Sequence, residues 1–292
     1  MTGVVNTDVT IDPTKASAGL DKILIVGGTK GIGRSIAVEA VKTKGSKVTV
    51  VGRSCDTDLL EKVTFVKADL SLMKGAKSLA EELDTDFDLI LFTTGIIAAD
   101  TREESPEGIE MDMAVSYLSR LVVLKYLVPR LSQKNVRIFI MGFPGADAGE
   151  YRLDDLNSEK EYKGGFGWVH VNTVYGNEAL VHDWAAKNKD QIFCGLNPGF
   201  IKTGIRSNVW KGRVMSMVGV VVETLIGFFT TSADQYATHI LGYLLSEDIK
   251  TGILLNPKGL VIKPATAFSE KETLAAEIIA SSEKLVQEKA GV

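Results

Sequence analysis

Short apolar runs alternate along the chain with longer stretches of mixed polarity. "ILIV" (23–26), "VTVV" (48–51), "VTFV" (63–66), "LILF" (89–92), "RIFIM" (137–141) and "IFCGL" (192–196) are compact and rich in β-branched or aromatic residues, as buried strands are. Helical spacing lies between and after them. The segment 31–45 ends on a glycine, where a C-cap belongs. The segment 111–131 is apolar on more than one face and should be well buried. Segments 173–188, 232–247 (with Ser232 as N-cap) and the amphipathic 270–290 complete the set. Strands that are apolar throughout and separated by helices predict a parallel sheet covered on both faces. Right-handed crossovers make it doubly wound. No repeat, low-complexity tract or linker divides the pattern. It predicts one α/β domain over 21–292, after a flexible or surface-lying arm over 1–20.

Composition narrows this little. The chain has 292 residues, 45% hydrophobic, enough for one sizeable core, and a formal net charge of −4. No basic block points to nucleic acid, and no basic amphipathic helix to an anionic membrane. The longest apolar run, 214–231, contains Glu223 and is barely long enough to span a bilayer. A buried or lid-like helix is the better reading, so no stable membrane insertion is expected. Cys55 and Cys194 form no spaced motif, which suggests free thiols in a reducing, cytoplasmic compartment and no metal site. The N-terminus lacks a charged-then-apolar signal pattern.

Candidate chemistry begins at "KILIVGGTKGIGRSIA" (22–37), a strand, a glycine-rich turn and a helix start. Gly27, Gly31 and Gly33 would allow the tight turn, the approach of a pyrophosphate and close helix–strand packing. Thr29, Lys30 and Ile32 lie within the same turn. The helix N-terminus offers free N–H groups to phosphates. This predicts a Rossmann-type dinucleotide site. The second strand runs into Arg53 and Ser54, where an acid would hold the ribose 2′-hydroxyl of NAD. An arginine there suits a 2′-phosphate instead. With Lys30 and Arg34 it places three cations near one dianion and favours NADP(H).

"VGGTKGIG" (26–33) resembles the glycine signature of the short-chain dehydrogenase/reductase family. "ADLS" (68–71), "FTTG" (92–95) and "NPGFIKT" (197–203) resemble further family segments in order, and "SEKLV" (282–286) resembles the retinol-dehydrogenase-like branch. The resemblance implies that Asp69 bonds the adenine amine and Leu70 packs on its ring. It gives Thr94 and Gly95 the turn after strand four, and gives Pro198, Gly199, Ile201 and Thr203 the nicotinamide amide. It also implies an Asn-Ser-Tyr-Lys tetrad, with Tyr as general acid or base and Lys lowering its pKa.

This chain departs from that tetrad. Counting back from Pro129 puts Ser116 at the Asn position. The Ser position falls on Gly142 or, better, Phe143. The apolar stripe Leu180, Trp184 places Thr173 at the Tyr position and Asn177 at the Lys position. A second register makes Tyr175 the acid and leaves Ala179 for Lys. Either way the lysine is missing. Asn177 could still bond a ribose. A lost general acid typically costs about 10²–10⁴-fold. His170, three residues before Thr173, is a candidate replacement at the pocket mouth. Glu178 and Tyr117 are weaker candidates, Tyr117 reading as core, while His182 and Asp183 read as outer helix positions. Reduction of an iminium or enone would need no strong acid at oxygen.

On the substrate side, a lid at about 204–232 is rich in Val, Met, Phe and Leu, with Trp210 at its start, and Phe143 adds an aromatic wall. Together these predict a hydrophobic small molecule, polycyclic, terpenoid or alkaloid-like, of the kind met in secondary metabolism. The leading expectation is an NADP(H)-dependent oxidoreductase with an atypical proton-transfer group. The alternatives are a non-redox isomerase, cyclase or dehydratase on the same scaffold, and a non-catalytic NADP-binding regulatory protein. Relatives often form homodimers through the helix pair 111–131 and 173–188.

Overall fold

The computed structural model describes residues 9–17, 20–202 and 231–292. The six apolar runs become β1 (Lys22–Val26), β2 (Lys47–Gly52), β3 (Thr64–Lys67), β4 (Leu89–Phe92), β5 (Arg137–Met141) and β6 (Ile192–Leu196). Four shorter strands follow: β7 (Ile201–Lys202), β8 (Thr231–Ser232), β9 (Leu254–Leu255) and β10 (Val261–Ile262). The main sheet has the order β10-β9-β6-β5-β4-β1-β2-β3. It is parallel except for β10, which pairs antiparallel with β9. Every residue of β4 and β5 is buried, because helices cover both faces. The order reverses between β1 and β4, and a doubly wound sheet binds its ligands outside the strand carboxyl ends at such a switch point.

One face carries α1 (Gly31–Lys44) and α7 (Ala233–Leu245), which pack on each other. The other carries α3 (Met73–Glu82), α5 (Ser119–Leu127), α6 (Trp168–Lys187) and α9 (Leu274–Ala290). Short helices α2 (Thr57–Leu60), α4 (Met111–Met113) and α8 (Thr266–Glu270) complete the set. Gly45 ends α1 with φ 63°, a left-handed cap whose N–H donates to the Val41 carbonyl. The Ser232 hydroxyl and the Gln235 side chain form a reciprocal capping box at the start of α7.

The long apolar segment beginning at Met111 is not one regular helix. Between α4 and α5 it widens into a π turn, Ala114–Leu118. There Tyr117 packs against Gly176 of α6, where a Cβ would lie 2.7 Å from the ring. The Tyr117 hydroxyl donates to Ser282 of α9 at 2.8 Å. Such π turns often mark functional sites.

Several expectations change. The helix placed at 173–188 starts five residues earlier, at Trp168. Asp183, expected on its outer side, is 6% exposed and pairs with Lys187 at 2.8 Å. The reason is α9, which lies along α6. Along the arm over 1–20, residues 9–17 are held down rather than loose: Ile11 is buried, the Asp12 N–H donates to Asp248, and Ala16 bridges to Ser246. The apolar run 214–231 lies outside the described residues except at its last position, Thr231, and no described helix is long and apolar enough to cross a membrane. Cys55 and Cys194 are free thiols.

Candidate active site

The glycine turn joins β1 to α1 at the carboxyl edge of the sheet. Gly27 has φ 95°, and a Cβ there would lie 2.5 Å from the Thr94 backbone nitrogen. At Gly33 a Cβ would lie 2.4 Å from the Thr93 hydroxyl. These two positions let the turn and α1 press against the loop 93–95 that follows β4. The N-cap of α1, Lys30, contributes no side-chain hydrogen bond, so the first-turn N–H groups stay open to an anion. A bare, positively polarised cradle fits a pyrophosphate.

The end of β2 meets this turn closely. A Cβ on Gly52 would lie 2.6 Å from the Thr29 hydroxyl. That contact brings the following residues, exposed Lys30 and Arg53, to one edge. Neither pairs with a described acid. Arg34 differs from the expectation of three free cations, since it is paired with Asp58 at 2.5 Å. Ser54 is exposed next to Arg53. Asp69 is exposed and accepts from the Ser71 N–H and hydroxyl through one oxygen, leaving the other open. Leu70 is 4% exposed within the core, so little of it is left to face a ring. Across the crevice, Gly199 has φ 65° and its N–H donates to Asn197 at 2.9 Å. Pro198 and Ile201 are buried. Thr203, Trp210 and all but the last two residues of the expected lid at 204–232 lie outside the described residues.

The expected chemical positions do meet. Asn177 Nδ2 donates to the Ser116 carbonyl at 2.9 Å and to the Thr173 carbonyl at 2.7 Å. A Cβ on Gly142 would lie 3.3 Å from Asn177, so Gly142, rather than Phe143, is the residue after β5 that touches this group. Thr173 was expected as a hydrogen-bond donor into the pocket. It is 2% exposed and its hydroxyl instead donates to the His170 carbonyl at 2.8 Å, as helical threonines commonly do. Tyr175 does not join the cluster. Two residues on from Thr173, its ring points round the helix and packs on Tyr151 and Phe268 at 5.6 and 5.8 Å, where burial raises its phenol pKa. Glu178 is also structural: its carboxylate takes the N–H of Gly145 at 2.7 Å and of Ala265 at 2.8 Å.

His170 is ringed by aromatic edges, with the rings of Phe143 and Phe166 at 6.5 and 5.4 Å in T-shaped contact. Phe143 in turn meets Phe200 at 6.1 Å. His170 Nδ1 lies 3.2 Å from a carboxylate oxygen of Asp112, which is fully buried. The Ser116 hydroxyl donates to the other oxygen of Asp112.

Two residues of this network were missed from sequence, Asp112 and Arg120. Arg120 is buried, and its guanidinium donates to the Thr94 and Met141 carbonyls and to Asn177 Oδ1 at 2.8 Å. Burial lowers its pKa to about 9, against an opposing pull from Asp112. The available signal was spacing. Asp112, Ser116 and Arg120 recur every fourth residue in an otherwise apolar helix.

The chain is 35% identical over 278 residues to an uncharacterised oxidoreductase of Saccharomyces cerevisiae, covering 91% of this chain and 87% of that one. It is 22% identical over 220 residues to a short-chain dehydrogenase/reductase of Penicillium rubens, covering 69% and 64%. The chain belongs to the short-chain dehydrogenase/reductase family of oxidoreductases. Solved members of the family share its fold. A short-chain dehydrogenase family protein of Francisella tularensis superposes with a TM-score of 0.62 at 17% identity, covering 82% of this chain and 97% of that one. The NADPH-bound carbonyl reductase from chicken fatty liver superposes at 0.60 and 14%, covering 90% and 100%. No family model matches the sequence.

Proposed function

We propose that this chain is an NADP(H)-dependent oxidoreductase that acts on a hydrophobic small molecule, with proton transfer by a group other than the family's tyrosine. The observation that carries the reading is the uncapped glycine cradle of α1 beside unpaired Lys30 and Arg53. A 2′-phosphate placed there gains charge-assisted hydrogen bonds that a 2′-hydroxyl cannot match. The similar carbonyl reductase is itself NADPH-bound. When bound, the dihydronicotinamide supplies a hydride to an electrophilic carbon.

The chain's own residues divide the remaining work. Gly27, Gly31 and Gly33, with Thr29 and Ile32 between them, shape the pyrophosphate seat. Arg53, Ser54 and Lys30 hold the 2′-phosphate, and Asp69 takes the adenine amine. Thr94 and Gly95 line the floor between the two halves. Pro198, Gly199 and Ile201 flank the nicotinamide. Asn177 has both amide protons engaged, so a ribose hydroxyl would donate to its Oδ1. Ser116, Gly142, Thr173 and Asn177 stand at the family's tetrad positions. None of them is a competent acid with a cation at its side. Phe143, Phe166 and Phe200 offer an aromatic approach suited to a polycyclic or otherwise apolar substrate.

The test is a fluorescence titration with NADPH and NADH, followed by a panel of ketones, enones and iminium ions monitored through loss of the reduced nicotinamide. Tight NADPH binding with stereospecific consumption on one panel member is expected. Turnover without NADPH loss would point to isomerisation, cyclisation or dehydration on the same scaffold. Binding without any turnover would point to a regulatory protein, and equal binding of NADH would remove the role given to Arg53.

A further inference from the structure

We propose that His170, oriented by the buried carboxylate of Asp112, is the proton-transfer residue of this enzyme; this rests on the redox reading above. Asp112 accepts the Ser116 hydroxyl on one oxygen and faces His170 Nδ1 at 3.2 Å with the other. That arrangement fixes the imidazole with its proton on Nδ1. It leaves Nε2, which has no partner among the described residues, as the working nitrogen.

The location suits the task. His170 opens α6 one turn before Thr173, and Asn177 on the same helix touches Gly142 at the end of β5. The rings around His170 come from the loop after β5 (Phe143) and the segment before α6 (Phe166), while Phe200 lies in the turn after β6. His170 therefore stands at the strand carboxyl ends, where the family's substrates enter the crevice. Its side chain is 15% exposed, enough for one open edge.

Asp112 is fully buried, with other titratable groups around it. Arg120 on α5 is drawn to it electrostatically. Glu110, one residue before α4, has its pKa raised to about 7 by burial and by Asp112 itself. Tyr162, in the segment before α6, donates to the Ala99 carbonyl at 2.6 Å. In the forward step the imidazolium Nε2–H bond breaks and its proton goes to the substrate oxygen as the C=O π bond opens. The carbon gains the hydride from bound NADPH. The products are an alcohol, NADP⁺ and neutral imidazole, which recovers a proton from solvent.

Three variants of the full chain test this: His170→Gln, His170→Ala and Asp112→Asn. With the substrate found by the panel, H170Q should lower kcat about 10²-fold or more. NADPH affinity, read by fluorescence without substrate, should stay within about threefold. Added imidazole should restore part of the H170A rate. Independently of turnover, the free protein should show a downfield, slowly exchanging Nδ1–H resonance, assigned among only three histidines by its loss in H170Q. D112N should abolish that resonance. H170Q turnover within a few-fold of the parent would overturn the assignment, as would failure of imidazole rescue or persistence of the resonance in D112N. A parent chain inert to the whole panel defeats the redox reading instead, and the resonance still reports whether the pair exists.

Discussion

The two halves of the crevice answer to different constraints. The β1–α1–β2 half is built from glycines and open backbone N–H groups, whereas the α5–α6 half is built from side chains that meet between two helices. Nucleotide binding is done largely by backbone N–H groups and by glycines that make room for them, so its geometry and its sequence are nearly the same thing. Proton transfer is done by side chains on a helix that folds with many residues at those positions. Asn177 and Ser116 still meet through a hydrogen bond of 2.9 Å. The positive charge near them comes from Arg120 on the neighbouring helix.

The sharpest way to break this contrast is at Gly33. Gly33→Val forces branched carbon into the Thr93 hydroxyl and the Gly27 carbonyl, both within 2.6 Å of a Cβ. It should reduce NADPH affinity by at least about 10²-fold, measured by titration. On the other half, Arg120→Met should cost roughly 1–3 kcal/mol in chemical denaturation, because it strips three buried acceptors of their donor. Arg120→Lys should recover part of that loss. If R120M is as stable as the parent, the guanidinium is not the structural replacement described here.

Next comes pH. The Glu110 carboxyl, ordinarily near 4.5, is pushed up to about 7, first by burial and then by Asp112. Between those values the folded chain holds a proton that the unfolded chain has released. Its contribution to stability is therefore complete below the lower value and is lost as pH rises through the upper one. Between about pH 5 and about pH 8 the parent should lose roughly 2–3 kcal/mol more than Glu110→Gln, which keeps an acceptor for the Met113 N–H. A smaller effect is expected at the cofactor edge. Arg53→Glu should weaken NADPH by about 10–10²-fold and leave NADH nearly unchanged. Smallest of all, Tyr175→Phe should alter kcat by less than about twofold, since its ring only packs on Tyr151 and Phe268. A large loss there would reinstate the second register of α6.

The legibility of the sequence follows the same division. The six main strands stood out because strands covered on both faces are apolar without interruption, and β4, β5 and β6 have the predicted ends. Strands β9 and β10 are two residues each and gave no pattern. The start of α6 was hidden by "KGGFGW", whose glycines read as a turn, although the helix begins on Trp168. Helix α3 was passed over because Gly75 and four charged residues dilute its apolar stripe. The meeting of Ser116, Thr173 and Asn177 was readable from register. The destination of the Thr173 hydroxyl was not, because a helical threonine can turn inward to its own backbone or outward with equal ease of sequence. Asp112 and Arg120 escaped for the opposite reason. A segment so apolar draws attention to its core and away from its few charges.

Tyr117 reaches Ser282, which lies ten residues from the chain's end. The π turn that carries Ser116 is thus completed by a helix residue 165 positions further along the chain. A nascent chain can wind β1, α1 and β2 early and acquire a nucleotide seat, yet the opposite wall must wait until α9 has been made. Shortening the C-terminus should accordingly leave a protein that still holds its coenzyme and no longer turns it over.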